Sequence, residues 1–252
     1  MPGVYSCEII SNERITESIY DIIISCPEIA DTAYAGQFIS IKCSEDKILR
    51  RPLSICGADN SRLRIIFETK GGGTIWLSGR SPGQYLDVLG PLGKGFLDPD
   101  GRIIVIGGGI GAPPILFAAQ TSKSAVTAIL GFRNKSKIIL QNEFESICEK
   151  VYITTDDGSS HIRGTVAVPL AELLKLGGYD AVLACGPRVM LQVVANICNK
   201  YGVPCQVSLE ERMGCGVGAC VVCACATINN GAEVMSRVCR DGPVYDANEI
   251  FR

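Results

Sequence analysis

The stretch RIIVIGGGIGAPPILFAAQ, residues 102–120, decides the fold of everything that follows it. Ile103–Ile106 form a short, mostly β-branched run with no polar alternation, the composition of a strand buried on both faces. Gly107, Gly108, Gly109 and Gly111 then make a turn, and Pro113 and Pro114 stand where the first turn of a helix tolerates a missing N–H. A buried strand entering a helix through glycines opens a βαβ unit, and such a turn lets backbone amides approach a pyrophosphate. The spacing Gly107-x-Gly109-x-Gly111 is not the G-x-G-x-x-G fingerprint. The ribose-binding acid that this fingerprint places about twenty residues later is missing from ILGFRNK (129–135). The stretch therefore opens a nucleotide-type domain of another subtype; taken alone, a plain tight turn would explain it as well.

Downstream the alternation continues. AVTAILGF (125–132), VYITT (151–155), DAVLACG (180–186) and CQVSL (205–209) read as strands, separated by helices near Gln141–Cys148, Pro169–Leu176 and Arg188–Tyr201. Strands alternating with helices predict a parallel-sheet α/β domain over residues 99–209. Upstream, VYSCEII, SIYDIIIS, QFISIKC, LRIIFET and YLDVLG are short β segments punctuated by Gly, Pro, Asn and Asp. They predict an antiparallel β-barrel over residues 1–98. Within it RRPLS (50–54) reads as a basic turn, and Gly71–Thr74 as a weak phosphate cradle. Residues 210–252 form a third, smaller segment with one hairpin around INNGAEV.

Composition excludes several classes. A net charge of −2 supplies no basic field for nucleic acid or an anionic membrane. No apolar run reaches bilayer length, and MPGVYSCEII lacks the basic and apolar regions of a signal peptide. The expected compartment is the cytoplasm. Thirteen cysteines, an odd number, argue against a disulfide framework. Eight are scattered through apolar runs and read as small buried hydrophobes.

The other five crowd into the C-terminal segment. Cys215-x4-Cys220-x2-Cys223, followed after fifteen residues by Cys239, has the plant-type spacing of a [2Fe–2S] cluster. Gly214, Gly216, Gly218 and Ala219 leave room for backbone amides to face sulfur. A Rieske centre needs two histidines, and His161 is the only one. Structural zinc prefers paired knuckles, and a redox C-x-x-C belongs at a helix start; both stay open as weaker readings. Cys225 is a nearby spare thiol or an alternative ligand.

RPLS, GGGT, GPLG, GGGIGAPP and CGP occur in an order that resembles the ferredoxin reductase superfamily. With SLEERMGCGVGACVVC (208–223) and VCRDGPVY (238–245), residues 4–246 are similar to the electron transfer subunits of type B dihydroorotate dehydrogenases. The resemblance implies FAD at Arg51, Pro52, Leu53 and Ser54, at Ile66, Phe67 and Glu68, and at Gly73 and Thr74. It implies a [2Fe–2S] cluster on Cys215, Cys220, Cys223 and Cys239. The pyrophosphate of NAD would face Gly107, Gly108, Gly109 and Gly111, with Cys185, Gly186 and Pro187 near the nicotinamide. Asp156 or Asp157 would hold the adenosine ribose, while Arg133 and Lys135 keep NADP open. Glu68 departs from the basic residue often found at its position in the family.

With the cofactors carrying the chemistry, no side chain is expected to be catalytic. The implied path runs from the FMN of a dihydroorotate dehydrogenase catalytic subunit through the cluster and FAD to NAD⁺, a step of pyrimidine (UMP) biosynthesis. The implied assembly is a heterotetramer with two of each subunit, the cluster segment lying at their interface. The alternatives are a free-standing NAD(P)H:ferredoxin or sulfide-linked oxidoreductase, and a scaffold with a structural metal.

Overall fold

The computed structural model describes residues 2–251. The N-terminal part is one antiparallel sheet of seven strands: β1 (Gly3–Arg14), β2 (Ile19–Ser25), β3 (Phe38–Ile41), β4 (Arg51–Ser54), β5 (Gly57–Asp59), β6 (Arg62–Glu68) and β7 (Tyr85–Leu92). Their order is β4-β3-β7-β1-β2-β6-β5. Alternation sets the inner face: Ile22 and Ile24 are fully buried and Ile23 between them is not. Helix α1 (Pro27–Ala30) follows β2, and α2 (Gly72–Ser78) follows β6.

RPLS, expected as a turn, is strand β4, with Pro52 opposite Ser40 of β3. It lies at the sheet edge, where the missing proline N–H leaves no ladder bond unmade. Helix α2 also escaped the sequence reading, because its start is a run of three glycines.

The second sheet comprises β8 (Arg102–Gly108), β9 (Ala125–Phe132), β10 (Lys150–Thr155), β11 (Ile162–Arg163), β12 (Ala181–Cys185), β13 (Cys205–Ser208) and, from the end of the chain, the strand Val244–Asp246. The first six pair in parallel in the order β11-β10-β9-β8-β12-β13, and Val244–Asp246 joins β13 antiparallel. Helices α3 (Ala112–Thr121), α4 (Gln141–Ile147), α5 (Ala167–Leu176) and α6 (Arg188–Tyr201) connect them. Helix α3 is buried from Ala112 to Ala119, and its Ile115, Leu116 and Phe117 share a core with Ile55, which follows β4, and Phe67 of β6. It is therefore the packing layer between the two halves. Helix α6 covers the other face with Leu191, Val194, Ala195 and Cys198, a helical i, i+3, i+4, i+7 stripe, and ends at Gly202 with φ +67°.

The chain order reverses at β8, whose neighbours are β9 and β12. A crevice beyond the carboxyl ends of these strands is where open α/β sheets bind ligands. The remaining hairpin is β14 (Ala224–Asn229) and β15 (Ala232–Arg237), closed by Asn230 and Gly231, both at positive φ as a tight hairpin turn requires. The strand Val244–Asp246 is β16, and α7 (Ala247–Ile250) ends the described chain. No described helix is long and apolar enough to cross a membrane.

Candidate functional site

A cavity of about 640 Å³ opens between the two sheets at that crevice. The barrel side contributes Pro52, Leu53, Ser54 and Glu68, and the α/β side Gly108, Gly109, Gly111, Cys185, Gly186 and Pro187. Ten of the residues expected from the sequence thus share one wall-to-wall space. Close approach explains the glycines. A Cβ on Gly111 would overlap the Cys185 carbonyl, and one on Gly107, itself buried in β8, would lie 2.7 Å from the Ala112 Cα. Pro113 and Pro114 remove two first-turn N–H donors of α3, and the Ala112 amide already donates to the Gly109 carbonyl, so a pyrophosphate here would depend on the amides of Gly109–Gly111.

Arg51 and Gly73 lie side by side and are not among the residues that line this space. A Cβ on Gly73 would overlap the Arg51 guanidinium, so the glycine is what lets the arginine lie across the start of α2. Arg50, the other basic residue of the motif, is occupied by Asp87 and by the Ser40 carbonyl. Thr74 uses its hydroxyl to accept from the amides of Lys70 and Gly71. Ile66 and Phe67 are core residues. Glu68 carries the charge reversal noted in the sequence, and Lys70 at 3.5 Å and Lys137 at 3.9 Å surround it with positive charge. These surroundings and the volume fit a phosphorylated flavin.

A second cavity, about 330 Å³, adjoins the first through Gly108, Gly109 and Pro187 and extends to Arg133 and Asp156. Asp157 is turned into its own loop, where its carboxylate accepts from the Ser159 amide and is held below the usual carboxylate range by the Ser159 hydroxyl and amide. Asp156 is the acid that faces the cavity. The Cys185 thiol is pushed up to about 12, chiefly by burial, with Ser208 bonding to it and pulling the other way. It is a neutral, inert group at physiological pH.

The four cysteines fall into two pairs. Backbone hydrogen bonds link them two and two, Cys220 to the sulfur of Cys215 and Cys239 to the sulfur of Cys223. Among the described residues no three His, Cys, Asp or Glu side chains converge on a single ion position. Two-and-two pairing is what a two-iron cluster asks of its thiolates. The loop is built to face sulfur: Val217, Ala219 and Cys220 donate their amides to Cys215 Sγ at 3.4, 3.3 and 3.4 Å, and Cys239 N donates to Cys223 Sγ at 3.4 Å. Burial raises the Cys215 thiol, but those amides and the Cys220 thiol outweigh it and bring it to about 6. A Cβ on Gly214 would press on Cys220 Sγ at 3.0 Å. The donor set and the cradle fit a [2Fe–2S] cluster. Cys225 is buried in the same core as Cys223, Cys239 and Tyr245.

The family described as the iron-sulfur cluster binding domain of dihydroorotate dehydrogenase B matches residues 210–251. Over nearly the whole chain, the sequence is 39% identical to the dihydroorotate dehydrogenase B (NAD(+)) electron transfer subunit of Geobacillus thermodenitrificans, covering 99% of both chains. It is 36% identical to the subunit of the same name from Caldanaerobacter subterraneus subsp. tengcongensis, covering 96% of both. The chain belongs to the family of dihydroorotate dehydrogenase B electron transfer subunits. It is thus an NAD-linked flavin and iron–sulfur oxidoreductase subunit.

Among solved structures, the dihydroorotate dehydrogenase B electron transfer fold seen here superposes on the NADH-dependent reduced ferredoxin-NADP oxidoreductase with a TM-score of 0.85 at 29% identity, over 99% of this chain and 91% of that one. An Amycolatopsis cytochrome P450 reductase has the same fold at 20% identity and a TM-score of 0.68, over 79% of this chain and 66% of that one.

Several residues of this family member's cavities gave no signal in the sequence. Lys137, from the loop after β9, reaches across to donate to the Ser18 hydroxyl at 3.1 Å. Glu210, Glu211, Arg212 and Met213 line the large cavity, as does Pro243. Met190 and Val193 of α6 floor the small one. Each is an ordinary residue type, recruited by tertiary folding alone. Only the run SLEERM, immediately before the cysteine loop, could have drawn attention to Glu210 and Arg212.

Proposed function

We propose that this chain carries electrons from the FMN of a dihydroorotate dehydrogenase catalytic subunit to NAD⁺, by way of a [2Fe–2S] cluster and FAD, in pyrimidine biosynthesis in the cytoplasm. The proposed assembly holds two of each subunit. The observation that carries the reading is the adjacency of a paired-cysteine loop to a cavity shared by a barrel edge strand and a glycine-lined nucleotide crevice.

FAD, when bound, supplies both the one-electron exchange that a cluster needs and the two-electron exchange that a nicotinamide needs. The chain's own residues do the positioning. In this reading Pro52, Leu53 and Ser54 present an apolar edge and one hydroxyl to the flavin ring. Arg51 offers its guanidinium to phosphate. The backbone of Ile66, Phe67 and Glu68 closes one side, and Gly73 and Thr74 hold the start of α2 in place. Gly107, Gly108, Gly109 and Gly111 let the backbone meet the nicotinamide dinucleotide, and Asp156 accepts from its adenosine ribose. Cys185, Gly186 and Pro187 wall the nicotinamide end, where an uncharged thiol neither attacks nor takes up a proton. Cys215, Cys220, Cys223 and Cys239 hold the cluster.

Val217, Val221 and Val222 are 44%, 54% and 59% exposed on the cysteine loop. An apolar rim of this kind supports docking of the catalytic subunit against the cluster, where one-electron transfer needs a short path. Val222→Glu is expected to reduce co-purification of the two subunits and leave FAD bound; unchanged co-purification would place the interface elsewhere. The reading as a whole is tested by mixing the loaded chain with its FMN-type dihydroorotate dehydrogenase under anaerobic conditions. NADH should form from dihydroorotate only in the mixture. The likeness to a ferredoxin-NADP oxidoreductase favours a second reading, a free-standing reductase, which requires turnover with ferredoxin and NAD(P)H in the absence of a partner.

A further inference from the structure

Ser18, immediately before β2, is half-buried and is not among the residues that line either cavity. It is nevertheless where the two halves of the molecule touch beside them. Its hydroxyl accepts from Lys137 Nζ at 3.1 Å and donates to Glu68 Oε1 at 3.4 Å, and Lys137 Nζ lies 3.9 Å from the same carboxylate oxygen. The serine is itself fixed, because its carbonyl accepts from the Thr69 amide at 2.8 Å and from the Thr69 hydroxyl at 3.2 Å. Ser18, Glu68 and Thr69 belong to the barrel, and Lys137, between β9 and α4, to the α/β half. Lysine, hydroxyl and carboxylate thus form a clasp across the junction.

The segment that ends at Lys137 serves both cavities. Phe132 and Arg133 line both of them, and the chain then makes one 3-10 turn, Lys135–Lys137. On its other side the segment is bonded to the loop that carries Asp156. The Asp156 amide donates to the Phe132 carbonyl at 3.1 Å, and the Asp157 amide to the Arg133 carbonyl at 3.4 Å. The Lys135 amide donates to the Ser159 hydroxyl at 2.7 Å. An unbroken series of contacts therefore runs from the barrel through Lys137 to Asp156. Farther along the chain, Glu143 of α4 accepts from Arg64 of β6 at 3.0 Å, so Lys137 is the tie on the cavity side. A partly exposed clasp adds little to stability; what it fixes is position.

Resting on the reading that the nicotinamide dinucleotide occupies the second cavity, we infer that Lys137 is a positioning residue for it. By clasping Ser18 and Glu68 of the barrel, Lys137 holds residues 132–137, and through them the Asp156 loop, in the geometry that receives the dinucleotide. The described residues that line the second cavity all belong to the α/β half, so the barrel acts on this site without touching its ligand. A site held ready in its bound shape binds more tightly than one that must be ordered by the ligand.

The test is calorimetric titration of ADP-ribose into the whole FAD- and cluster-loaded chain, with flavin content and melting temperature measured alongside. Ser18→Ala removes the hydroxyl from outside both cavities and leaves the Ser18 carbonyl bonds to Thr69 in place. It should weaken ADP-ribose binding about threefold, and Lys137→Met about fivefold to tenfold, the range of one hydrogen bond. The two substitutions together should cost no more than Lys137→Met alone, because they break one clasp. Lys137→Arg, which keeps a charged donor, should recover most of the affinity. A loss in Lys137→Met with none in Ser18→Ala means that the lysine meets the ligand itself, and overturns the inference. Unchanged affinity in both overturns it as well, and in either case the dinucleotide reading stands. Failure of the unsubstituted chain to bind ADP-ribose overturns both.

Discussion

In the proposed reading Gly73 and Asp156 each set a binding property through one atom group. At Gly73 a methyl group would take the place of the Arg51 guanidinium, which must then swing off the start of α2. Gly73→Ala is expected to weaken FAD binding about tenfold, roughly the worth of one hydrogen bond, as read by flavin fluorescence on titrating the flavin-free chain. At Asp156 the carboxylate faces the second cavity with Arg133 also in its wall. A ribose hydroxyl is an apt donor to it, and a 2′-phosphate is repelled by it. Asp156→Ser should raise the KM for NAD about tenfold or more, the loss of a charge-assisted hydrogen bond, and should improve binding of NADP through Arg133. The ratio of kcat/KM for the two dinucleotides checks this, with ADP-ribose against its 2′-phosphate as the binding counterpart. An unchanged ratio would remove Asp156 from the ribose.

The cysteine loop and β4 are elements whose conformation outranks their local preference. Val221, between Cys220 and Cys223, has φ +60°. That is a left-handed conformation, disfavoured for a β-branched residue by about 1–2 kcal/mol. The strain is held because the flanking cysteines and amides are tied to their sulfurs. Val221→Gly should relieve it and raise the melting temperature of the cluster-loaded chain by about 2–4 °C, without altering flavin content. RPLS reads locally as a basic turn, since a proline after two arginines carries no strand signal. It becomes a strand because β3 offers it a free edge. The cysteine spacing, by contrast, is readable without the fold, because spacing is a property of the chain itself.

The two halves are joined by α3 and by an ionic bridge. Arg64 of β6 donates to Asp21 at 2.7–3.1 Å and reaches Glu143 on α4 in the other half. Asp21 has 19% of its side chain exposed and Glu143 39%, so screening reduces what the bridge contributes. Arg64→Met should cost about 1–2 kcal/mol, most of it from Asp21 left half-buried without a partner. Thermal unfolding checks this, and adding Glu143→Gln to Arg64→Met should cost little more, because the two residues share one interaction. The crevice depends on this joint. Its walls come from both halves, so a looser joint should also weaken FAD binding.

Read by itself, the sequence determined the alternation of strands and helices after Arg102, the β character before it, and the spacing of the cysteines from Cys215 to Cys239. These follow from periodicity, glycine and proline chemistry and short-range spacing, which act along the chain. Tertiary structure alone decided that β4 is a strand and that β16 returns to complete the second sheet. It also decided that Lys137 crosses to Ser18 and Glu68, and that Tyr245 is buried in one core with Cys223 and Cys239. Each of those depends on contacts between segments far apart in sequence, and no local preference encodes which partner a distant residue will meet.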